Sequence, residues 1–188
     1  MSRTALVLGA GIGGIVAAET LRKLLPASDR VIAVDRAGQH FFPPSLLWLM
    51  VGERDPEEFS RPLDRLLRRG IEFRQSSVTR IDPARREVEI DGQPLCADAL
   101  VIALGAEYAP ETIPGLAEAG RCIYTMEGAT AIRDALARFS GGRIVVLTAA
   151  PQYKCPAAPY ETALLVDSYL RKRGLRDRKS TRLNSSHT

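Results

Sequence analysis

Two places in this sequence carry residue types and spacings that could do chemistry. The first is Gly9-Ala10-Gly11-Ile12-Gly13-Gly14, which follows the apolar run Thr4–Leu8 (TALVL). Gly9 allows a tight turn, Gly11 lets backbone come close to a diphosphate, and Gly14 lets a helix pack close to a strand. Amides of this turn, Ala10 and Ile12 included, would face the phosphates at a helix N-terminus, whose partial positive charge favours an anion. Asp35 closes the next apolar run, 21 residues after Gly14. A carboxylate at that point accepts hydrogen bonds from ribose hydroxyls. In this context the turn reads as an adenine-dinucleotide site, without saying which dinucleotide. Arg36, beside the acid, reads either as an adenine contact or as a solvated cation. The second place is Cys155, with Lys154 next to it and a helical composition starting at Pro159. A helix N-terminus and a neighbouring ammonium both favour the thiolate, the nucleophilic form of cysteine.

These residues need elements to hold them. Thr4–Leu8 is short and apolar, as a central parallel strand buried on both faces requires. Ile15–Leu25 has helix composition closed by Pro26, and Arg30–Val34 (RVIAV) is a second buried strand ending at Asp35. A strand, a helix and a strand within about 30 residues make a right-handed crossover and a parallel pair. His40–Gly52 (HFFPPSLLWLMVG) reads as a proline-interrupted loop running into a short helix. Leu46, Leu47, Trp48 and Leu49 are its packing residues, and His40 has a surface or packing role. Ser60 is placed to cap a helix over Arg61–Arg69, with Leu63, Leu66 and Leu67 on one face and Gly70 past its end. Ile71–Gln75 is the third parallel strand. Residues 77–95 alternate around turns at Asp82-Pro83 and Asp91-Gly92, a small antiparallel meander. Ala99–Leu104 is another buried strand. Residues 126–139 form an amphipathic helix with Ile132, Leu136 and Phe139 on one face. Arg143–Thr148 (RIVVLT) is a further buried strand, and the last helix runs from Pro159 to Arg171. The alternation predicts an α/β fold: a doubly wound parallel sheet with an inserted meander.

Composition narrows the class. A hydrophobic share of 45% with 26% charged residues is that of an ordinary globular chain. No apolar stretch nears the roughly 18 residues of a spanning helix. No charged-then-apolar leader precedes the glycine turn, so the expectation is a cytoplasmic protein without a signal peptide. The net charge of +4 is concentrated at one end: residues 171–188 hold seven Lys/Arg against a single acid, Asp177. Residues 1–170 are therefore slightly negative, and nucleic acid is not an expected partner. Lys179–Thr188 (KSTRLNSSHT) has no structural period and reads as foreign sequence. Cys96, Cys122 and Cys155, with two histidines, offer neither C-x-x-C nor H-x-x-x-H spacing, so no metal site is expected. Cys96 and Cys122 read as structural.

Ala99-Leu100-Val101-Ile102-Ala103-Leu104-Gly105-Ala106, followed by Ile113-Pro114-Gly115, resembles the second FAD fingerprint of the two-dinucleotide flavoprotein reductases. Leu104 replaces the usual threonine, so a hydroxyl contact is lost while the backbone turn stays possible. In reductases of this fold, the strand at Arg143–Thr148 would lead into a second glycine turn for NADH. Here it leads into residues 149–161, which contain no glycine and three prolines. Proline has no amide to offer a diphosphate, so NADH binding at this turn is disfavoured.

The stretch Lys154-Cys155-Pro156-x-x-Pro159-Tyr160-Glu161 is similar to the segment carrying one of two redox cysteines in the sulfide:quinone oxidoreductases and the flavoprotein subunit of flavocytochrome c sulfide dehydrogenase. In that family the cysteine pair takes sulfur from sulfide and passes two electrons to FAD. The resemblance implies Cys155 as a catalytic residue, its partner lying in a C-terminal half beyond this chain. It implies cofactor contacts from Gly9, Ala10, Gly11, Ile12, Gly13, Gly14, Asp35, Arg36, Pro44, Val78, Ala103 and Gly105. Pro44 stands where the sulfide dehydrogenase has the cysteine that bonds FAD, so FAD is expected to be non-covalent. Tyr124 aligns with a third cysteine of some relatives, and Cys122 falls about two residues early. The implied layout is an FAD-binding Rossmann-like domain over 1–110, the start of a second, truncated nucleotide-fold domain over 111–178, and the foreign tail. The implied substrates are sulfide and a membrane quinone. Peripheral contact on the inner face of the membrane would come through the missing half, and the sequence leaves room for an oligomer. By itself the fragment is expected to be inactive. A type II NADH:quinone reductase and a non-catalytic, redox-sensing FAD module are the competing readings.

Overall fold

The computed structural model describes residues 2–150 and 153–176, with the side chains of residues 66–68 left aside. Pro151 and Gln152, the Leu66–Leu67 helix face and the proposed foreign tail therefore lie outside the described residues. The chain divides into two compact units, residues 1–41 with 60–108, and residues 42–59 with 109–188.

The first unit is built on a four-stranded parallel sheet. β1 (Thr4–Leu8) is followed by helix α1 (Ile12–Leu24), β2 (Arg30–Asp35), β3 (Gln39–Phe41), β4 (Ser60–Pro62), a 3-10 helix (Leu63–Arg69) and β5 (Glu72–Gln75). The meander strands β6 (Val78–Asp82), β7 (Glu87–Ile90) and β8 (Gln93–Cys96) come next, and β9 (Ala99–Ile102) returns to the sheet. The sheet order is β5-β2-β1-β9. β1 pairs with β2 from Thr4↔Arg30 to Leu8↔Val34, and with β9 from Ala5↔Ala99 to Leu8↔Ile102.

The apolar runs in β1 and β2 are explained by what covers each face. Val7, Val31 and Ala33 point to the side of α1, where Ala18, Leu63 and Ile71 complete a buried cluster. Leu6, Leu8, Ile32 and Val34 point to the other side and pack against Val88 and Ile90 of the meander. Each of the four is completely buried. At roughly 1.5–3 kcal/mol for each fully buried aliphatic side chain, this central pair holds the unit together. The meander has the expected turns. Asp91 and Gly92 both take positive φ, 49° and 77°, as a two-residue hairpin turn between β7 and β8 requires. The chain start is pinned by Asp29. The Arg3 amide donates to its Oδ1 (3.0 Å) and the Arg3 guanidinium to its Oδ2. The amide bond, against the opposing effect of burial and with help from the guanidinium, holds this carboxyl below the usual carboxylate range.

In the second unit a 3-10 turn (Pro43–Ser45) leads into α2 (Leu46–Met50) and α3 (Pro56–Phe59). A short α4 (Leu116–Ala119) precedes α5 (Met126–Arg138) and α6 (Ala158–Lys172). Thr125 caps α5 by accepting the Gly128 amide at 3.0 Å. Helix α6 buries Ala158, Thr162, Val166 and Leu170, a strict four-residue stripe. Ala158, Val166 and Leu170 pack with Leu47, Met50, Val51 and Leu136 into the unit's core.

Five expectations are corrected. Ser60 does not cap a helix: Ser60–Pro62 pairs antiparallel with Gln39–Phe41, and the following residues wind as a 3-10 helix. α1 starts at Ile12 rather than Ile15, so Gly13 and Gly14 lie within its first turn. The strand at 99–102 is not buried on both faces: among the described residues it is the sheet edge, paired with β1 alone, and Ile102 is 52% exposed. Arg143–Thr148 is not a strand. It pairs with no strand among the described residues, and Val145 and Leu147 are exposed; the second unit's described residues contain no strand to receive it. Trp48 is 40% exposed, although Leu46, Leu47 and Leu49 around it are buried; the Arg54 guanidinium lies 5.9 Å from its ring centre.

Candidate functional site

The glycine turn sits where β1 ends, stitched to both neighbouring strands. The Gly9 amide donates to the Val34 carbonyl (2.8 Å) and the Ala103 amide donates to Leu8 (2.8 Å). Gly9 has φ +90°, and a Cβ there would lie 2.4 Å from the Ala103 carbonyl oxygen. Gly14 is required by packing: its Cβ would lie 1.8 Å from the Gly9 carbonyl oxygen. Gly11 differs from both. It has extended backbone (φ −70°, ψ −172°), and a Cβ would find no protein atom within 4 Å. Gly13 is equally open. Nothing in the fold demands glycine at position 11. A bare backbone facing open space is the cradle that a bound diphosphate requires.

The electrostatics agree. α1 has 13 residues, its cap makes no side-chain hydrogen bond, and its first turn holds no acid. The amides at its start are thus left for an anion from outside. Asp35 does more than the sequence indicated. Its Oδ2 accepts the Ala10 amide (2.6 Å) and its Oδ1 accepts the Ala37 amide (2.8 Å). Each oxygen keeps a lone pair for a ribose hydroxyl. Arg36 donates to Glu107 Oε1 at 2.8 Å, a partner 71 residues away that no local pattern singles out. Gly105, φ +73°, turns the chain after β9, and Ala103 lies half-buried against the turn at Gly9. Val78 is half-buried in β6, opposite Ile90. The first unit therefore brings together residues 9–14, Asp35, Arg36, Ala103 and Gly105 around the end of β1.

The other two site candidates belong to the second unit. Pro44 lies in the 3-10 turn before α2. Cys155 is exposed and has φ +51°, a left-handed conformation that costs a non-glycine residue roughly 1–2 kcal/mol. Its carbonyl accepts the Ala158 amide (3.0 Å) at the start of α6. The Tyr124 hydroxyl donates to the Lys154 carbonyl (2.7 Å), tying down the peptide ahead of the thiol. Cys122 is a half-buried free thiol. Cys96 is exposed rather than part of a core, its Sγ 3.6 Å from Glu87 Oε2.

A glycine turn between the first strand and helix of a parallel sheet, an acid closing the second strand and a second turn after the fourth define a Rossmann-type dinucleotide-binding protein. Residues 3–150 match the family model described as pyridine nucleotide-disulphide oxidoreductase. The chain belongs to that family of FAD-binding flavoproteins, and the open backbone at Gly11 with the uncapped α1 fits that cofactor. The chain is 34% identical over 182 residues to a sulfide-quinone reductase of Aquifex aeolicus, covering 94% of this chain and 41% of the relative. It is 28% identical over 192 residues to an alternative NAD(P)H-ubiquinone oxidoreductase of Arabidopsis thaliana, covering 90% of this chain and 36% of the relative. The X-ray structure of the Aquifex aeolicus sulfide:quinone oxidoreductase matches with a TM-score of 0.81 at 30% identity, over 93% of this chain and 41% of that one. The chain thus spans about two fifths of the length of these relatives.

Proposed function

We propose that the protein is an FAD-dependent oxidoreductase that oxidises sulfide through Cys155 and a second cysteine, and passes the electrons by way of FAD to a membrane quinone. The observation that carries this reading is the setting of Cys155. It is an exposed thiol in left-handed backbone, in a turn where a nicotinamide-binding reductase would have glycines. Strained backbone of this kind clusters at active sites. The similarity to the Aquifex aeolicus sulfide-quinone reductase supports the same reading.

Hydrosulfide attacks the Cys155 sulfur of a disulfide; a new S–S bond forms on Cys155 as the old one breaks, and the partner cysteine leaves as a thiolate holding the electron pair. FAD, when bound, supplies an acceptor for that pair and a donor for quinone. The turn at residues 9–14 would hold its diphosphate, and Asp35 its adenosine ribose. Pro44 offers no nucleophile, so the cofactor is held without a covalent bond. On this reading residues 1–110 are the FAD domain and 111–178 begin a second domain. The partner cysteine and the membrane contact belong to the part of the relatives' length this chain does not span. The protein works at the inner face of the membrane. No described helix is long and apolar enough to cross one.

The similarity to the NAD(P)H-ubiquinone oxidoreductase favours a second reading, an NADH:quinone reductase. The two separate in one experiment on a protein carrying the relatives' full length. Anaerobic sulfide should bleach the flavin absorbance in wild type and fail to do so in Cys155→Ser. Bleaching by NADH alone replaces the proposal with the second reading. Reduction by neither donor leaves an FAD-binding module without this catalysis.

A further inference from the structure

The ion pair between Arg36 and Glu107 has a topological setting that sequence proximity does not explain. Arg36 directly follows Asp35, the last residue of β2, and Glu107 stands two residues after Gly105 in the loop beyond β9. In the sheet order β5-β2-β1-β9 these two strands are not neighbours; they flank β1. Their ends are separated by two strand spacings, roughly 10 Å. The glycine turn leaves the end of β1 between them. In open α/β sheets the ligand lies outside the carboxyl ends of the strands, at such a crevice. The 2.8 Å contact between Arg36 Nη2 and Glu107 Oε1 therefore joins one wall of the dinucleotide crevice to the other.

We propose that Arg36 and Glu107 form a clasp across the crevice that retains bound FAD, Glu107 acting as a positioning residue through Arg36. The wall behind Arg36 is fixed, because Asp35 is bound to the Ala10 and Ala37 amides. The wall carrying Glu107 is a loop, anchored at Ala103 through its amide to Leu8 and turned by Gly105. Closing the pair draws this loop toward the fixed wall, and opening it frees the way out. Both side chains are largely exposed, 76% for Arg36 and 79% for Glu107. Such a pair is weak and screened by salt. That suits a latch that must open for loading and not a contact that holds the fold.

The test is the rate at which FAD leaves the loaded protein, followed by the fluorescence of released FAD with an excess of apoflavoprotein as a trap. Glu107→Gln and Arg36→Gln should each speed release by about 1.4- to fivefold, the range open to an exposed pair. The double variant should be no faster than either single one. In about 1 M salt, where the screening length falls to about 3 Å, wild type should release FAD as fast as the variants. Thermal unfolding of the FAD-free protein should be the same for all four. Unchanged release from Glu107→Gln overturns the proposal. So does additivity in the double variant, which would mean that Arg36 holds FAD by itself. Faster loading with unchanged release would make the pair a plug instead of a clasp. A wild-type protein that takes up no FAD removes the ligand and the clasp with it.

Discussion

Replacing glycines of the turn one at a time by alanine separates what the fold needs from what the ligand needs. At Gly14 the new Cβ would sit 1.8 Å from the Gly9 carbonyl oxygen, against about 3.4 Å for ordinary contact. Helix α1 would have to move about 1.6 Å from the strand turn, and both sides are backbone that cannot rotate aside. Overpacking by side chains costs roughly 1–3 kcal/mol. A backbone clash of this depth should reach about 3 kcal/mol or prevent folding. At Gly11 alanine meets no atom within 4 Å and fits the existing φ of −70°. The FAD-free Gly11→Ala protein should lose no more than about 1 kcal/mol, the margin by which glycine exceeds alanine at a helix N-cap. Its methyl group nevertheless fills the space into which the diphosphate must come. FAD affinity should fall at least tenfold, about 1.4 kcal/mol. Thermal unfolding by circular dichroism and FAD titration by fluorescence quenching measure the two effects. A Gly11→Ala protein that binds FAD like wild type would refute the assignment of this turn to the diphosphate. A Gly14→Ala protein as stable as wild type would refute the packing argument.

Three further outcomes follow from the geometry. Cys155→Gly should be at least as stable to chemical denaturation as wild type, because glycine relieves a left-handed conformation costing roughly 1–2 kcal/mol while adding less than that in chain entropy. Thr125→Ala should lower stability by about 1 kcal/mol in the same assay, since it removes the cap bonded to the Gly128 amide. Asp29 has a depressed folded-state pKa, so its stabilising contribution is present above the unfolded value of about 3.9 and is lost as pH falls through the folded one. Stability measured from pH 5 downward should therefore decline in wild type, and Asp29→Asn should show a shallower decline.

What could be read in the sequence depended on whether a feature was local. The runs TALVL and RVIAV, the glycine turn and the acid at position 35 each state their own conformation, and the structure places them around the end of β1. The meander was equally legible from alternation and from Asp91-Gly92. Arg143–Thr148 has the composition of a strand, but a strand exists only with a partner, which a composition does not contain. Ser60 looked like a cap because the pattern after it is helical; its pairing with Phe41 depends on a residue 19 positions earlier. Two site contacts had no local signal. The Arg36–Glu107 pair and the Tyr124–Lys154 bond connect residues 71 and 30 apart. Only the fold brings them together.

The proposed transfer of sulfur from sulfide to Cys155 is open to mass spectrometry of the thiol itself. The full-length, FAD-loaded protein is mixed anaerobically with sulfide, quenched by alkylation and digested. One added sulfur atom is expected on the Cys155 peptide, and none on the peptides of Cys96 and Cys122. A Cys155 peptide without added sulfur, in a protein whose flavin sulfide does reduce, would contradict it.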